Sequence, residues 1–211
     1  MHITWLGQAT FLLESSTKLV TDPYNWMMGK LPKDLTASVV TVSHAHSDHN
    51  YTKGVGGQPI IIKQTGTFTA GGFDILGIAT FHDNAGGKKR GDNVVYVIRA
   101  EAMTLCHLGD LGHVLSTQQL AELDPVDVLM IPVGGFVTIG PEEAVQVIAQ
   151  IQPKLVLPMH YKAKKSLIPL PIAGVDKFIT ALGWEVEEVD TLAVDRATLD
   201  AAKPHVVVFR R

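Results

Sequence analysis

The 211-residue chain has a single cysteine, Cys106, so no disulfide can close within it, and a reducing cytoplasm is the expected compartment. It has no excess of basic charge: 18 Lys and Arg stand against 21 Asp and Glu, a formal net of −3. That balance speaks against a nucleic-acid or membrane-surface binder, which needs a strongly basic face, and points to a small-molecule partner. Charged residues make up only 18% of the chain and hydrophobic ones 46%, which excludes a disordered or low-complexity polymer. Long apolar runs are missing too. The longest, Val128 to Ile139, is broken by Pro132 and the Gly134–Gly135 pair and is too short to span a bilayer. Met1 to Thr10 has neither the basic start nor the unbroken apolar stretch of a signal peptide. With no linker, repeat or shift in composition, residues 1–211 read as one domain.

What is there is a succession of short strand-like runs. His2 to Leu6, Thr10 to Glu14 and Lys18 to Thr21 suggest a meander. Val39 to Ser43, Ile60 to Lys63 and Phe73 to Phe81 continue it, two of them stopping at histidine. In the second half come Val94 to Arg99, Met103 to Cys106, Val126 to Pro132 and Leu155 to Leu157, then Glu185 to Val189 and His205 to Phe209. Pro141 at a first-turn position, followed by Glu142 and Glu143, with Ala144, Ile148 and Ile151 on one face, predicts a helix ending before Pro153. A second helix is expected over Val175 to Leu182, with Gly183 as its stop. The reading is an α/β (α+β) fold of two packed sheets with helices outside.

Chemistry concentrates in histidine. Of nine histidines, three fall in His44-Ala45-His46-Ser47-Asp48-His49, directly after an apolar run. Composition alone would give this pattern about 0.001 times in such a chain. In an extended segment His44 and His46 project to the same side, so both imidazoles can reach one divalent ion, while the turn at Ser47 releases Asp48 and His49 in another direction. Imidazole and carboxylate suit Zn, Fe, Mn or Ni, and the lack of thiolates removes the usual structural zinc cage.

These residues, with Thr4-Trp5-Leu6-Gly7-Gln8-Ala9-Thr10, Thr21-Asp22-Pro23, Leu108-Gly109-Asp110 and Pro158-Met159-His160-Tyr161, resemble the metallo-β-lactamase superfamily of metal-dependent hydrolases. The likeness is to the branch that includes L-ascorbate-6-phosphate lactonase and N-acyl phosphatidylethanolamine phospholipase D. It covers nearly the whole length and implies a four-layer αββα sandwich with the motifs at one end. It further implies that His44, His46 and His82 bind one ion, that Asp48, His49 and His160 bind a second, and that Asp110 bridges them. Asp48 and Asp110 are thus the carboxylates at the reaction centre. Asp22 matches a position that hydrogen-bonds a ligand histidine rather than the metal. Gln8 stands where relatives commonly carry a histidine, and Cys106 matches no ligand position, so antibiotic hydrolysis is not expected.

Seven ligands are too many for one four-coordinate ion and suit two ions sharing a carboxylate, with Zn2+ the first expectation and Mn2+, Fe2+ or Ni2+ the others. Two ions bring +4 and Asp48, Asp110 and a metal-bound hydroxide return −3, so the centre keeps about +1 and favours anions. The expected reaction is hydrolysis of a small anionic ester, lactone or phosphodiester by that hydroxide. Lys88-Lys89-Arg90 and Lys162, Lys164 and Lys165 each begin within a few residues of a proposed ligand and are candidate anion contacts, as are His113 and Tyr161. His107 is a rival third ligand. The apolar loop Tyr24 to Gly29 is a candidate lip, or a contact between copies in a homo-oligomer. The rival activities are a thiol- or persulfide-dioxygenase-like redox enzyme on the same scaffold and a non-catalytic metal-binding protein.

Overall fold

The computed structural model describes residues 1–162 and 171–210; Lys164 and Lys165 lie outside the described residues. The strands are β1 (His2–Gly7), β2 (Thr10–Glu14), β3 (Lys18–Thr21), β4 (Val39–Thr41), β5 (Ile60–Ile62), β6 (Gly66–Ala70) and β7 (Phe73–Phe81). There follow β8 (Asp92–Ala100), β9 (Met103–His107), β10 (Val128–Pro132), β11 (Leu155–Met159), β12 (Val186–Val189), β13 (Leu192–Ala193) and β14 (His205–Phe209). Among the described residues four α-helices join them: α1 (Thr117–Glu122), α2 (Pro141–Ile151), α3 (Val175–Leu182) and α4 (Arg196–Ala201).

These strands form the two sheets expected of the sandwich. One runs β13-β1-β2-β3-β4-β5, the other β12-β14-β11-β10-β9-β8-β7-β6. Each is part antiparallel and part parallel: β3, β4 and β5 are parallel in the first sheet, and β9, β10, β11, β14 and β12 in the second. The parallel strands β10 and β11 are buried at all five positions, as strands covered on both faces must be. β7 alternates instead, showing one face to solvent.

Both long helices follow their local signals. α2 starts with Pro141, its Glu143 carboxylate accepts the Gly140 N–H at 3.1 Å, and it ends on Gln152 in the left-handed region before Pro153. α3 stops on Gly183 at φ 69°. Between the sheets lies the main core, with Phe11, Leu13, Ile75, Ile98 and Leu105 fully buried. A smaller cluster on the first sheet joins Val20, Val40 and Val42 to Leu35 and Val55 from the loops.

One topological fact places the site. β7 and β9 both run antiparallel to β8, so their carboxyl ends share an edge, and β10 and β11, parallel to β9, end there too. The two sheets are tied at this edge: the Val94 N–H donates to the Ser43 carbonyl at 2.9 Å and the Tyr96 hydroxyl to the Val42 carbonyl at 3.0 Å. Ligands of open α/β sheets collect at carboxyl ends of strands because the chain there is free to turn into loops. No helix among the described residues is long and apolar enough to cross a membrane.

Candidate metal centre

Six segments leave that edge carrying chemistry. β3 delivers Asp22, β4 the 44–49 segment, β5 Lys63, β7 His82, β9 Asp110 and β11 His160. The backbone turns sharply to do this: Asp22 and His160 have φ of 38° and 49°, outside the range most side chains adopt. The loop after β10 passes so close to His160 that a Cβ at Gly134 would collide with the His160 carbonyl.

The functional atoms converge on one carboxylate oxygen. Asp110 Oδ2 lies 3.3 Å from the Nε2 atoms of His49, His82 and His160, and 3.9 Å from that of His44. His44 Nε2 and His46 Nδ1 are 3.0 Å apart, and Asp48 Oδ2 is 3.5 Å from His49 Nε2. Ligand-capable atoms of His44, His46 and His82 lie within 4.8 Å of one another, as do those of Asp48, His49 and His160. The structure therefore brings together all seven residues expected at the centre. A third such group, Asp22 with His44 and His49, is closed by hydrogen bonds: Asp22 Oδ1 accepts the Ser43 N–H at 2.7 Å, and Oδ2 accepts the Ser43 hydroxyl at 2.5 Å and His49 Nδ1 at 2.9 Å.

That closed group sets two tautomers. Because the one hydroxyl hydrogen of Ser43 goes to Asp22, Ser43 Oγ can only accept from His44 Nδ1, 2.9 Å away. His49 likewise gives its Nδ1 proton to Asp22. Both Nε2 atoms are thereby turned toward Asp110.

Burial, together with neighbouring His49, pushes the His44 pKa down to about 3, leaving a neutral imidazole suited to coordination. Burial also lowers His82, against the pull of Asp110. For Asp110, burial works upward but the imidazoles of His160 and His49 outweigh it and hold the carboxyl well below its ordinary range. His49, buried among Asp110, Asp22 and Asp48, is raised well above the usual histidine value despite its burial. His49 Nε2 and Asp110 Oδ1 are buried with no hydrogen-bond partner. Orphaned imidazole and carboxylate atoms around a common point cost free energy unless a cation lies among them, so the donor set fits a metal.

The candidate substrate contacts separate. His107 is fully buried, with Nε2 2.8 Å from the Ala9 carbonyl and Nδ1 accepting from the Gly109 N–H at 3.3 Å. It braces β9 and is no rival ligand. His113 Nδ1 lies 2.8 Å from the Val114 carbonyl, and its Nε2 accepts the Phe81 N–H at 3.2 Å. Tyr161 stacks on Trp5 at 5.1 Å and, with the exposed Lys162, lines a cavity of about 190 Å³ with Val175 and Asp176. A larger cavity of about 560 Å³ opens beside His44 and His46, and Arg90 lines it whereas Lys88 and Lys89 do not. In the apolar loop, Tyr24 is buried with its hydroxyl on the Leu6 carbonyl at 2.6 Å, while Trp26 is 79% exposed.

Four residues escaped the sequence reading. Asn93 is fully buried on β8; its amide donates to the Leu108 carbonyl and its oxygen accepts the Asp110 N–H, both at 2.9 Å. A polar residue opening an otherwise apolar strand is the signal that could have found it. Ser43 and Asp83 act through backbone and side-chain hydrogen bonds visible only in the fold. Lys63 follows a strand whose end reaches the site through sheet pairing alone.

Residues 2–160 match the family model described as Beta-lactamase superfamily domain. The chain belongs to the β-lactamase superfamily. Similar proteins include a UPF0173 metal-dependent hydrolase of Methanosarcina mazei, 30% identical over 76% of this chain and 83% of the relative. Another, from Methanoculleus marisnigri, is 33% identical over 76% and 81%. Among solved structures, a Thermotoga maritima protein described as a Zn-dependent hydrolase of the metallo-β-lactamase superfamily aligns with a TM-score of 0.80 at 38% identity, covering 99% of this chain and 97% of its own.

Proposed function

We propose that the chain is a metal-dependent hydrolase that uses two divalent ions, zinc first among the candidates, to cleave a small anionic ester, lactone or phosphodiester. The observation that carries this reading is the convergence of three imidazole Nε2 atoms from three separate segments on Asp110 Oδ2, each at 3.3 Å. His44 Nε2, His46 Nδ1 and His82 Nε2 would hold one ion, Asp48, His49 and His160 the other, with Asp110 between them. Bound there, such ions lower the pKa of coordinated water and polarise a carbonyl or phosphoryl oxygen.

The protein's own contribution is position. Asp22 fixes His49 directly and His44 through Ser43, Asn93 fixes the Asp110 backbone, and Gln8 donates its side-chain amide to Asp48 Oδ2 at 3.2 Å. His46 is exposed and Asp48 half-buried, so the centre opens to solvent on that side, where substrate would enter. The likeness to metal-dependent hydrolases supports the reaction class, and the resemblance to the lactonase and phospholipase D branch supports the substrate class.

The test is elemental analysis of gently purified protein together with an ester, lactone and phosphodiester panel. Two ions per chain and turnover of one substrate class are expected, with His46→Ala losing at least one ion and on the order of 10² or more in kcat/KM. Equal hydrolysis by wild type and variant overturns the reading.

A further inference from the structure

The 560 Å³ cavity beside His44 and His46 is walled by two cations, Lys63 and Arg90, and by Phe81. Neither cation has a carboxylate partner among the described residues. Asp92 also lines the cavity but is ion-paired with neither of them. Two unpaired cations against one carboxylate leave the wall positive.

Arg90 is held rather than dangling. The Asp83 carboxylate, one residue beyond His82, accepts four backbone N–H groups: Ala85 at 2.7 Å and Gly87 at 3.0 Å on Oδ1, Lys89 at 2.8 Å and Arg90 at 2.7 Å on Oδ2. One guanidinium nitrogen of Arg90 then donates to the Phe136 carbonyl at 3.3 Å. A fixed guanidinium presents several N–H donors at defined directions and loses little freedom on meeting an oxyanion. Lys63, exposed at the carboxyl end of β5, has no hydrogen bond or ion pair among the described residues and adds a mobile point charge across the cavity.

We propose that Arg90 and Lys63 form an anion subsite, distinct from the metal ligands, that receives a second charged group of the substrate, a carboxylate or phosphate remote from the bond being cleaved. This rests on the hydrolase reading for the cleaved bond, though binding of the remote group does not require it. The subsite sets specificity: a substrate with one oxyanion at the centre and another a few atoms away spans the His44–His46 wall, its connecting atoms against Phe81.

The test pairs Lys63→Gln/Arg90→Gln with Lys88→Gln/Lys89→Gln, which removes the same charge from two exposed residues of the 83–91 loop that do not line the cavity. Thermal melting confirms that both are folded. Inorganic phosphate is titrated calorimetrically into the metal-stripped proteins, and the cleavage of 4-nitrophenyl hemisuccinate is compared with that of 4-nitrophenyl butyrate, which lacks the remote carboxylate. The expected result is at least about fivefold weaker phosphate binding in Lys63→Gln/Arg90→Gln, and about a tenfold fall in its hemisuccinate-to-butyrate kcat/KM ratio, relative to the control pair. Equal phosphate affinity in the two variants, no phosphate binding by wild type, or an unchanged ester ratio overturns the subsite. Wild-type protein that binds phosphate through Lys63 and Arg90 yet cleaves neither these esters nor the panel overturns the hydrolase reading and leaves the subsite standing.

Discussion

Asp22 shows how much of the centre depends on a residue with no exposed surface. Burial works against its charge, yet the hydrogen bond from His49 and the surrounding imidazoles hold its carboxyl below the ordinary value. Replacement by Asn turns one oxygen into a donor facing either the Ser43 N–H or its hydroxyl and His49 Nδ1, so donors meet donors and the His49 tautomer is released. Asp22→Asn is expected to bind metal about 10–100-fold more weakly, measured by competition with a chromophoric chelator; wild-type affinity would show that Asp22 does not orient the ligands. At this scale the sequence was most informative where chemistry is local. His44, His46, Asp48 and His49 declare themselves by spacing, whereas His82, Asp110 and His160 were legible only through the family resemblance. Each is a single residue after a strand, and nothing in its neighbourhood distinguishes it from a surface histidine or aspartate. Ser43 and Asn93 were invisible because their roles are hydrogen bonds to residues 21 and 17 positions away.

Among the elements, legibility follows burial and cap chemistry. β2, β3, β7, β14 and α3 have the boundaries their patterns predict, since each is fixed by a turn or a stop residue. β4 ends at Thr41, not Ser43, because the Ser43 N–H leaves the ladder for Asp22. β6, an edge strand exposed along most of its length, has no buried face to give it a period, and α1 and α4 are six residues each, too short for an apolar stripe. The 83–91 loop reads as a Gly- and Lys-rich surface turn, and only the fold shows Asp83 at its hub. Burial acts upward on the Asp83 pKa, but the N–H groups of Arg90, Ala85, Lys89 and Gly87 bring it down to about 2, below the ~3.9 of an unfolded aspartate. The stabilisation that the Asp83 carboxylate gives the loop is therefore fully present above about pH 4 and is lost as pH falls through the lower value. At neutral pH, Asp83→Asn removes the charge and one acceptor oxygen. Amide exchange at Ala85, Gly87, Lys89 and Arg90 should then accelerate at least about tenfold while β8 stays protected; unchanged exchange would mean the loop is held by something else.

For the whole molecule, the centre is also a structural joint. Its ligands leave both sheets, and the sheets meet at the same edge through Ser43 and Val94, so any cation held there crosslinks two halves that otherwise cohere through apolar packing and a few hydrogen bonds. In its absence the buried His49 Nε2 and Asp110 Oδ1 lack partners, which weakens the fold at that edge. Metal that binds the folded chain and not the unfolded one adds about 2.7 kcal/mol at a hundredfold excess over its Kd. For a domain of this size each kcal/mol moves Tm by roughly 2–4 °C. Exhaustive chelation should therefore lower Tm by about 5–10 °C, and readdition of zinc should restore it in proportion to the logarithm of free metal. His46→Ala, which keeps the second ligand group, should retain part of that response, whereas Asp110→Asn, which disturbs both groups, should lose most of it. A Tm indifferent to chelation in wild type would mean that the two sheets are locked without the ions, and that the clustered side chains serve reactivity alone.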